Sequence, residues 1–320
     1  MTALIKVENT AAVVTSEYGD TIIEKFLASR VISANSIRTY RNALRRLFKF
    51  FAANSISVPT EEAITAFVNS LKAEKKSDST QKLYLTVAKS FFAWTGRKEI
   101  FPNVAADVKA RIKKTTTHKR EALTTKQAKA LLTAIKGNDV ISLRNRAIIA
   151  LCLQCGLRTI EIERADVGDL HESNGYFILD VQGKGCDEKN QSVKVSRHVA
   201  EMIYTYLEAR GTVADSEPLF ASTSRNNSKY GARLSAQSVG KMIKATLKKI
   251  GVNDKRHSAH STRHFAATCA IKAGVDLREV SSMLRHSNIQ TTLTYLHDID
   301  IENRRAELTV ADTLFGGMAC

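Results

Sequence analysis

The reactive side chains of this sequence fall into two groups far apart along the chain. Only a fold that returns residues near 158 and 184 to the neighbourhood of residue 295 lets them act together. The later group is dense: His260-Ser261-Thr262-Arg263-His264, then Leu284-Arg285-His286-Ser287, then Thr291-Thr292-Leu293-Thr294-Tyr295-Leu296-His297. The earlier group is Gly156-Leu157-Arg158-Thr159-Ile160-Glu161 and Gly183-Lys184-Gly185, each with a charged residue close to a glycine.

These residue types suit attack on a phosphodiester. Such a reaction piles negative charge on two non-bridging oxygens, and arginine meets it with a planar, permanently charged fork. Arg158 and Arg263 are the candidates, and both are expected at helix boundaries where backbone dipoles add positive potential. Tyr295 is the candidate nucleophile; a phenol with a pKa near ~10 needs a base or a cationic setting to react at neutral pH. His260, three residues before Arg263, can be presented to the same phosphate by one helical turn, and His286 precedes Tyr295 across a Ser287-Asn288 turn that could cap the tyrosine's helix. The leaving oxygen needs a proton. Lys184, between glycines on a hairpin tip, can reach it, with Lys189 as the fallback. A lone arginine is more often a surface residue and a lone tyrosine more often core; the shared wording of these segments outweighs both readings. A zinc site on His257, His260 and His264 is disfavoured, because no Glu follows His260 as in His-Glu-x-x-His and Arg263 stands between the imidazoles.

Composition points to the partner. The formal charge is +16, from 48 Lys+Arg against 32 Asp+Glu, and such an excess favours a polyanion because each neutralised phosphate releases counterions. Residues 1–120 hold 21 Lys+Arg and 10 Asp+Glu, a net +11, which leaves +5 for the rest, so the first part is the expected electrostatic clamp. No stretch reaches the ~18 consecutive apolar residues of a membrane span, and the first residues lack the basic and apolar regions of a signal peptide; the expected location is cytoplasmic, with no membrane partner. Five cysteines at 152, 155, 186, 269 and 320 make no disulfide framework. Cys152 and Cys155 sit in an apolar helical run and are expected as buried thiols.

Residues 20–106 read as four helices in a small orthogonal bundle. Asp20 or Thr21 is expected to cap the first and Ser36 the second, and Thr60-Glu61-Glu62 starts the third; the fourth is expected over 79–94, burying Leu83, Val87, Phe91 and Trp94. In the second helix Arg38, Arg41, Arg45 and Lys49 share a face with no acidic residue in the stretch, which favours DNA contact over a solvated face; Lys82 and Lys89 on the fourth join them. Residues 109–120 are basic and poor in large apolar side chains, the composition of a linker that would touch phosphates without reading sequence. Beyond it, a threonine of the Thr124-Thr125 pair is expected to cap a helix to about 136, and another is expected over 143–155, stopped by Gly156. The runs 176–181 and 192–195 read as a hairpin, followed by helices near 198–210, 235–250, 261–273 and 277–284.

The order and wording of Gly-Leu-Arg-x-x-Glu, Gly-Lys-Gly, His-x-x-Arg-His, Leu-x-His-Ser and Thr-Thr-Leu-Thr-Tyr-Leu-His resemble the tyrosine recombinases, or phage integrase family. That resemblance covers most of the chain, in specific wording over its second half and in architecture over its first. It implies a mainly α fold with a small antiparallel β-sheet: a helical, SAM-like core-binding domain over 1–108, a linker over 109–120, and an α+β catalytic domain over 121–320. It implies that Arg158, Lys184, His260, Arg263 and His286 surround the nucleophile Tyr295, with Glu161 as a supporting acid that orients an active-site side chain. The implied reaction forms a 3′-phosphotyrosyl link and frees a 5′-hydroxyl, with no cofactor and no metal. The implied partners are double-stranded DNA with an inverted-repeat core site, a homo-tetramer holding two sites, and a related recombinase or a DNA-bending accessory protein. The outcome would be integration, excision or resolution of a mobile element or replicon. In size the chain looks like chromosome-dimer resolvases and small mobile-element integrases, with too few residues before the bundle for an arm-binding domain. The family's Leu-Gly-His is Leu284-Arg285-His286 here, a bulky cation at a tight junction. Two other readings stay open: a type IB topoisomerase, whose active site looks alike, and a DNA-binding homologue without catalysis, against which the intact set of six argues. The apolar residues Leu308, Val310, Leu314 and Phe315 suit a tail that docks on a neighbouring subunit.

Overall fold

The computed structural model describes residues 16–109, 121–183, 185–211, 213–223, 231–295 and positions 310, 311, 313 and 314. Lys184, most of the expected linker and most of the expected docking tail lie outside the described residues. The chain divides into two compact units, Met1–Lys114 and Thr115–Cys320.

The first unit holds four helices, α1 (Ser16–Ala28), α2 (Ala34–Ala53), α3 (Glu61–Ala73) and α4 (Asp78–Arg97). Three of them start on a side-chain oxygen that takes up an otherwise orphaned backbone N–H: Ser33 for α2, Thr60 for α3, Ser77 for α4. Ser36 is therefore not a cap; its N–H is the one that Ser33 accepts, and the Ser-x-x-Ser repeat hid the earlier start. Likewise α1 begins before Asp20 and Thr21. Phe26, Leu44, Phe51, Phe67, Phe91 and Phe92 form the buried centre, and Phe91 meets Phe26 edge-on at 5.4 Å and Phe48 at 5.7 Å. In α4 Leu85 is buried in place of the expected Leu83, which is 39% exposed.

The basic face of α2 is not free of acid. Glu24 accepts from Nε and Nη2 of Arg41 at 2.6 and 2.7 Å, and Asp20 accepts from Arg45 at 2.9 Å. Those carboxylates come from α1, beyond the reach of a search for acids within one stretch of sequence. Lys89 gives its ammonium to the Ala106 carbonyl. Arg38, which bonds Asn35, and Lys49 and Lys82 stay exposed.

The second unit is built on the apolar helix α6 (Val140–Cys155), which starts on Asp139 and ends at Gly156 in the left-handed conformation, φ 58°. Before it lies α5 (Thr125–Thr133), opened by a Thr124/Gln127 capping box. After it come the short α7 (Thr159–Arg164) and a 3-10 turn, Val167–Asp169. A three-stranded antiparallel sheet follows, in the order β1 (Leu170–Ser173), β2 (Tyr176–Val181), β3 (Gln191–Val195). The strand β1 was not anticipated; its run Leu170-His171-Glu172-Ser173 has one buried residue, too little alternation to announce itself. Helices α8 (Arg197–Arg210), α9 (Ala236–Lys249), α10 (Ala259–Lys272), α11 (Leu277–Met283) and α12 (Gln290–Leu293) complete the unit. Among the described residues no helix is long and apolar enough to cross a membrane.

Candidate active site

Arg158 owes its position to how α6 stops. Gly156 takes a positive φ and lies so close to Leu284 that an added Cβ would come within 2.7 Å of its Cδ2, so a larger residue would be strained and would have to displace Leu284. Two residues later Arg158 is the N-cap of α7. Glu161, fully buried at the third helical position, accepts from the Arg158 backbone N–H at 2.7 Å and from its guanidinium at 2.9 Å. One carboxylate thus holds both ends of Arg158.

Arg263 lies inside α10, not at its start, so the expected contribution of free N-terminal N–H groups does not apply to it. Its guanidinium is 1% exposed; it donates to the Gly156 carbonyl at 2.6 Å and to the Leu284 carbonyl. Burial, and then the charge of Arg158, lower its pKa to about 10, still far enough above neutrality to keep it charged. His260 is exposed on the first turn of the same helix. It therefore shares a helical turn with Arg263 but not its buried setting.

Four rings run through the site. His260 and His264 meet edge-on at 4.8 Å, His264 and Tyr295 likewise at 4.8 Å, and His286 lies nearly parallel to Tyr295 at 6.1 Å. Tyr295 is 1% exposed and packs with Ala267, Val280 and Leu284. His286 Nδ1 is 2.8 Å from the hydroxyl of the buried Thr292. Burial, followed by the charges of Arg263, Arg158 and Arg285, lowers the His286 pKa to about 4, so the ring is neutral at neutral pH. The expected cap is met in part: Ile289, the N-cap residue of α12, makes no side-chain bond, but Asn288 Oδ1 accepts from the N–H of Gln290, the first residue of the helix, which ends two residues before Tyr295.

The largest cleft at the site, about 670 Å³, is lined by Arg158, Gly183, Cys186, Arg285, His286 and Ser287 among others. A second, of about 530 Å³, carries Arg158, His260 and Arg263. Arg158 borders both. Gly183, next to the expected proton donor Lys184, is anchored here through its carbonyl, which accepts from Arg164 at 2.8 Å. Lys189 is occupied elsewhere: its ammonium lies 2.5 Å from Asp166 and 2.6 Å from Asp169, with Asp166 also held by Arg233. That pinning to the base of the sheet is a structural role, and Lys189 is set aside as a proton donor.

The structure thus brings Arg158, Glu161, Arg263, His286 and Tyr295 together. Thr292 carries no signal in the sequence, and His264 enters it only as the end of His-x-x-Arg-His and through its i,i+4 spacing from His260, which raises the zinc question. Burial pushes the Cys152 and Cys155 thiols up to about 12, in keeping with packing rather than reactivity. Among the described residues no group of three or more metal-ligating side chains occurs, and His257 Nδ1 lies 2.8 Å from Asp254.

Comparison with known proteins adds the following. Residues 121–301 match the Phage integrase family and residues 23–99 the phage integrase N-terminal SAM-like domain. The tyrosine recombinase XerD of Halalkalibacterium halodurans is 28% identical over 276 residues, covering 84% of this chain and 88% of that protein. The tyrosine recombinase XerC of Caldanaerobacter subterraneus is 35% identical over 187 residues, 58% of this chain and 49% of its own length. Among solved structures, the XerH site-specific recombinase in a post-cleavage complex with a palindromic difH substrate has a TM-score of 0.72 at 19% identity, covering 97% of this chain and 90% of that one. The Tn1549 transposon integrase bound to transposon right-end DNA has a TM-score of 0.70 at 18% identity, covering 91% and 98%. These two likenesses establish a shared fold.

Proposed function

The chain belongs to the phage integrase family, and from that premise we propose that Tyr295 attacks a phosphodiester held by Arg158 and Arg263. The protein is a tyrosine-type site-specific DNA recombinase. The Tyr295 oxygen bonds to phosphorus, the bond to the 5′ oxygen breaks, and the strand is held as a 3′-phosphotyrosine until a 5′-hydroxyl reverses the step on the same or a partner strand. His286, neutral and held beside the Tyr295 ring, takes the phenolic proton; His260 contributes a hydrogen bond to the phosphate. Lys184 protonates the departing 5′ oxygen. Each step makes one P–O bond as it breaks another, taking one proton from the nucleophile and giving one to the leaving oxygen, so the phosphotyrosine conserves the bond energy. Glu161 orients Arg158.

The observation that carries this reading is that Arg158 and Arg263 border one cleft while Arg263 and Tyr295 both meet Leu284. Because Tyr295 is 1% exposed, its segment must shift before the phenol can meet a phosphate. The DNA is an inverted-repeat core site gripped through Arg38, Lys49 and Lys82, with Arg41, Arg45 and Lys89 available once they leave their present partners. Four copies on two sites, a cytoplasmic setting, and a mobile element or replicon as substrate complete the proposal. A related recombinase or a DNA-bending protein completes the list of partners.

The test uses duplexes that the protein itself selects from a randomised pool, rebuilt with a nick near the cleavage point so that religation fails. Wild type should accumulate a covalent 3′ adduct and Tyr295→Phe none. No adduct from wild type would leave a DNA-binding protein without catalysis. Adducts and supercoil relaxation on any sequence, without exchange between two sites, would make it a topoisomerase.

A further inference from the structure

Arg285 occupies the place where the family wording has glycine, and the backbone there keeps a glycine's shape: φ is +54°, a conformation that strains an L-residue. The strain is accepted for a side chain that is itself 3% exposed. Its guanidinium faces Glu161, giving Nη2 to one carboxylate oxygen at 2.8 Å and Nε to the other at 3.3 Å. Nη1 goes to the Met283 carbonyl at 2.5 Å, and Nη2 also approaches the Gly156 carbonyl at 3.4 Å. Both of the acceptors beyond its own turn are shared with the residues of the reaction. Glu161 is the carboxylate that holds Arg158, and the Gly156 carbonyl is the one that Arg263 grips.

We propose that Arg285 is a positioning residue for strand cleavage, locking Glu161 into the orientation that aims Arg158 while bracing the junction that seats Arg263. The proposal rests on the reading of Arg158 and Arg263 as the pair that binds the scissile phosphate. Arg285 lines the same cleft as Arg158 and His286, yet its own N–H groups are turned inward on protein oxygens, so it acts through Glu161 rather than on DNA. With only Arg158 for a partner, the carboxylate would keep one fixed anchor, the backbone N–H, and its other oxygen could swing with that partially exposed side chain. Forked by a second, buried guanidinium, it has no such freedom.

The arrangement also sets a charge state. The groups that face Glu161 are Arg158 at the start of α7, Arg285 after α11, Arg263 on α10 and the neutral Cys152 thiol on α6. Burial pushes the Glu161 carboxyl up; the charge and hydrogen bond of Arg285, then the backbone bond and charge of Arg158, overcome it and hold the pKa below the usual carboxylate value. Glu161 therefore stays ionised and keeps its grip on Arg158 until the pH falls through that lowered pKa. Without Arg285 the burial contribution gains weight, the carboxyl protonates at higher pH, and Arg158 is released earlier on acidification.

Arg285→Gly is the informative change, because it removes the side chain and relaxes the backbone at once. Single-turnover adduct formation on the nicked duplex should slow by about tenfold, less than the ~10²–10³ of a lost transition-state donor. Affinity for the intact duplex should not change, and the acid limb of the rate should move to higher pH. Arg285→Lys, which keeps the charge without the fork, should recover part of the rate. In a Glu161→Gln background the Arg285→Gly change should cost less than about twofold, since the two residues act as one unit. Equal slowing in both backgrounds would show that Arg285 does not work through Glu161. An Arg285→Gly protein with a lower thermal midpoint but an unshifted rate and pH profile would make the arginine a staple for folding alone. A wild type that forms no adduct would remove the parent reading and this inference with it, an outcome distinct from wild type and Arg285→Gly cleaving alike.

Discussion

Two sets of arginines in this molecule look alike in sequence and differ in what answers their charge. On α2, Arg41 and Arg45 pair with Glu24 and Asp20, with side chains 31% and 53% exposed. Water can take over from either carboxylate, and salt screens the attraction. In the second unit Arg263 is 1% exposed and the Arg285 side chain 3%, and their partners are backbone carbonyls and one buried carboxylate. Burial hinders bulk water from replacing those oxygens. The first set is a reserve of charge that can be released to another anion; the second is fixed in place, which is what a developing charge at phosphorus needs.

The strongest way to break that contrast is to remove Arg263. Arg263→Ala should slow adduct formation by about 10²–10³, the cost of one preorganised transition-state contact, while a gel shift on the selected duplex persists. Arg158→Ala should behave similarly. A gel shift abolished by either change would mean that these arginines hold DNA in the manner expected of α2. Next in size, Glu161→Ala leaves Arg285 buried without its counter-charge and should cost about 3–5 kcal/mol of stability in urea unfolding. Glu24→Ala, breaking the exposed pair, should cost less than about 1 kcal/mol. Similar losses from both would erase the distinction between the two sets.

A third change probes the cationic setting that the buried set creates. With its pKa lowered to about 4 by burial and by Arg263, Arg158 and Arg285, His286 should titrate by NMR in the DNA-free protein well below the usual imidazole value. The unfolded chain then binds the proton first as pH falls, so this residue contributes stability that is present near neutrality and lost on acidification from about 6.5 towards 4. Thr292→Val removes the hydroxyl 2.8 Å from Nδ1 and should slow cleavage by about tenfold, below the ~10²–10⁴ that a general base supplies. An imidazole titrating near 6.5 would mean that the neighbouring guanidiniums do not act on it.

What could be read from the sequence follows the same divide. Arg158, Arg263, His286 and Tyr295 were named from local wording, and Gly156 as a helix stop from its place after an apolar run. The longer helices were recognisable from apolar spacing, apart from a cap disguised by a second serine three residues on, as at Ser33 and Ser36; the six-residue α7 was not. Partners were not legible. Nothing near residue 41 in sequence announces Glu24, and nothing near residue 285 announces Glu161, because each pairing is made by helix packing between distant stretches. For that reason the basic row looked unopposed, Lys189 looked available, and Arg285 looked like an obstruction. Thr292 carried no signal, since a threonine among threonines is an ordinary helix residue until the fold sets it against His286.

The smallest expected effect decides whether the exposed set belongs to function at all. Asp20→Asn removes the acceptor charge from Arg45 without altering the arginine. Its effect on folding should stay within about 1 kcal/mol, as for other exposed pairs. If α2 lies on DNA, the freed guanidinium is one more cation for a phosphate. Binding of the selected duplex should then tighten a few-fold, and the slope of log affinity against log salt should steepen by about 0.9. Arg38→Ala and Lys49→Ala should each flatten it by about the same amount, uniformly across DNA sequences. Salt slopes that ignore all three changes would return the row to the solvated face that most helical charge rows are, and the duplex would have to be held by other surfaces.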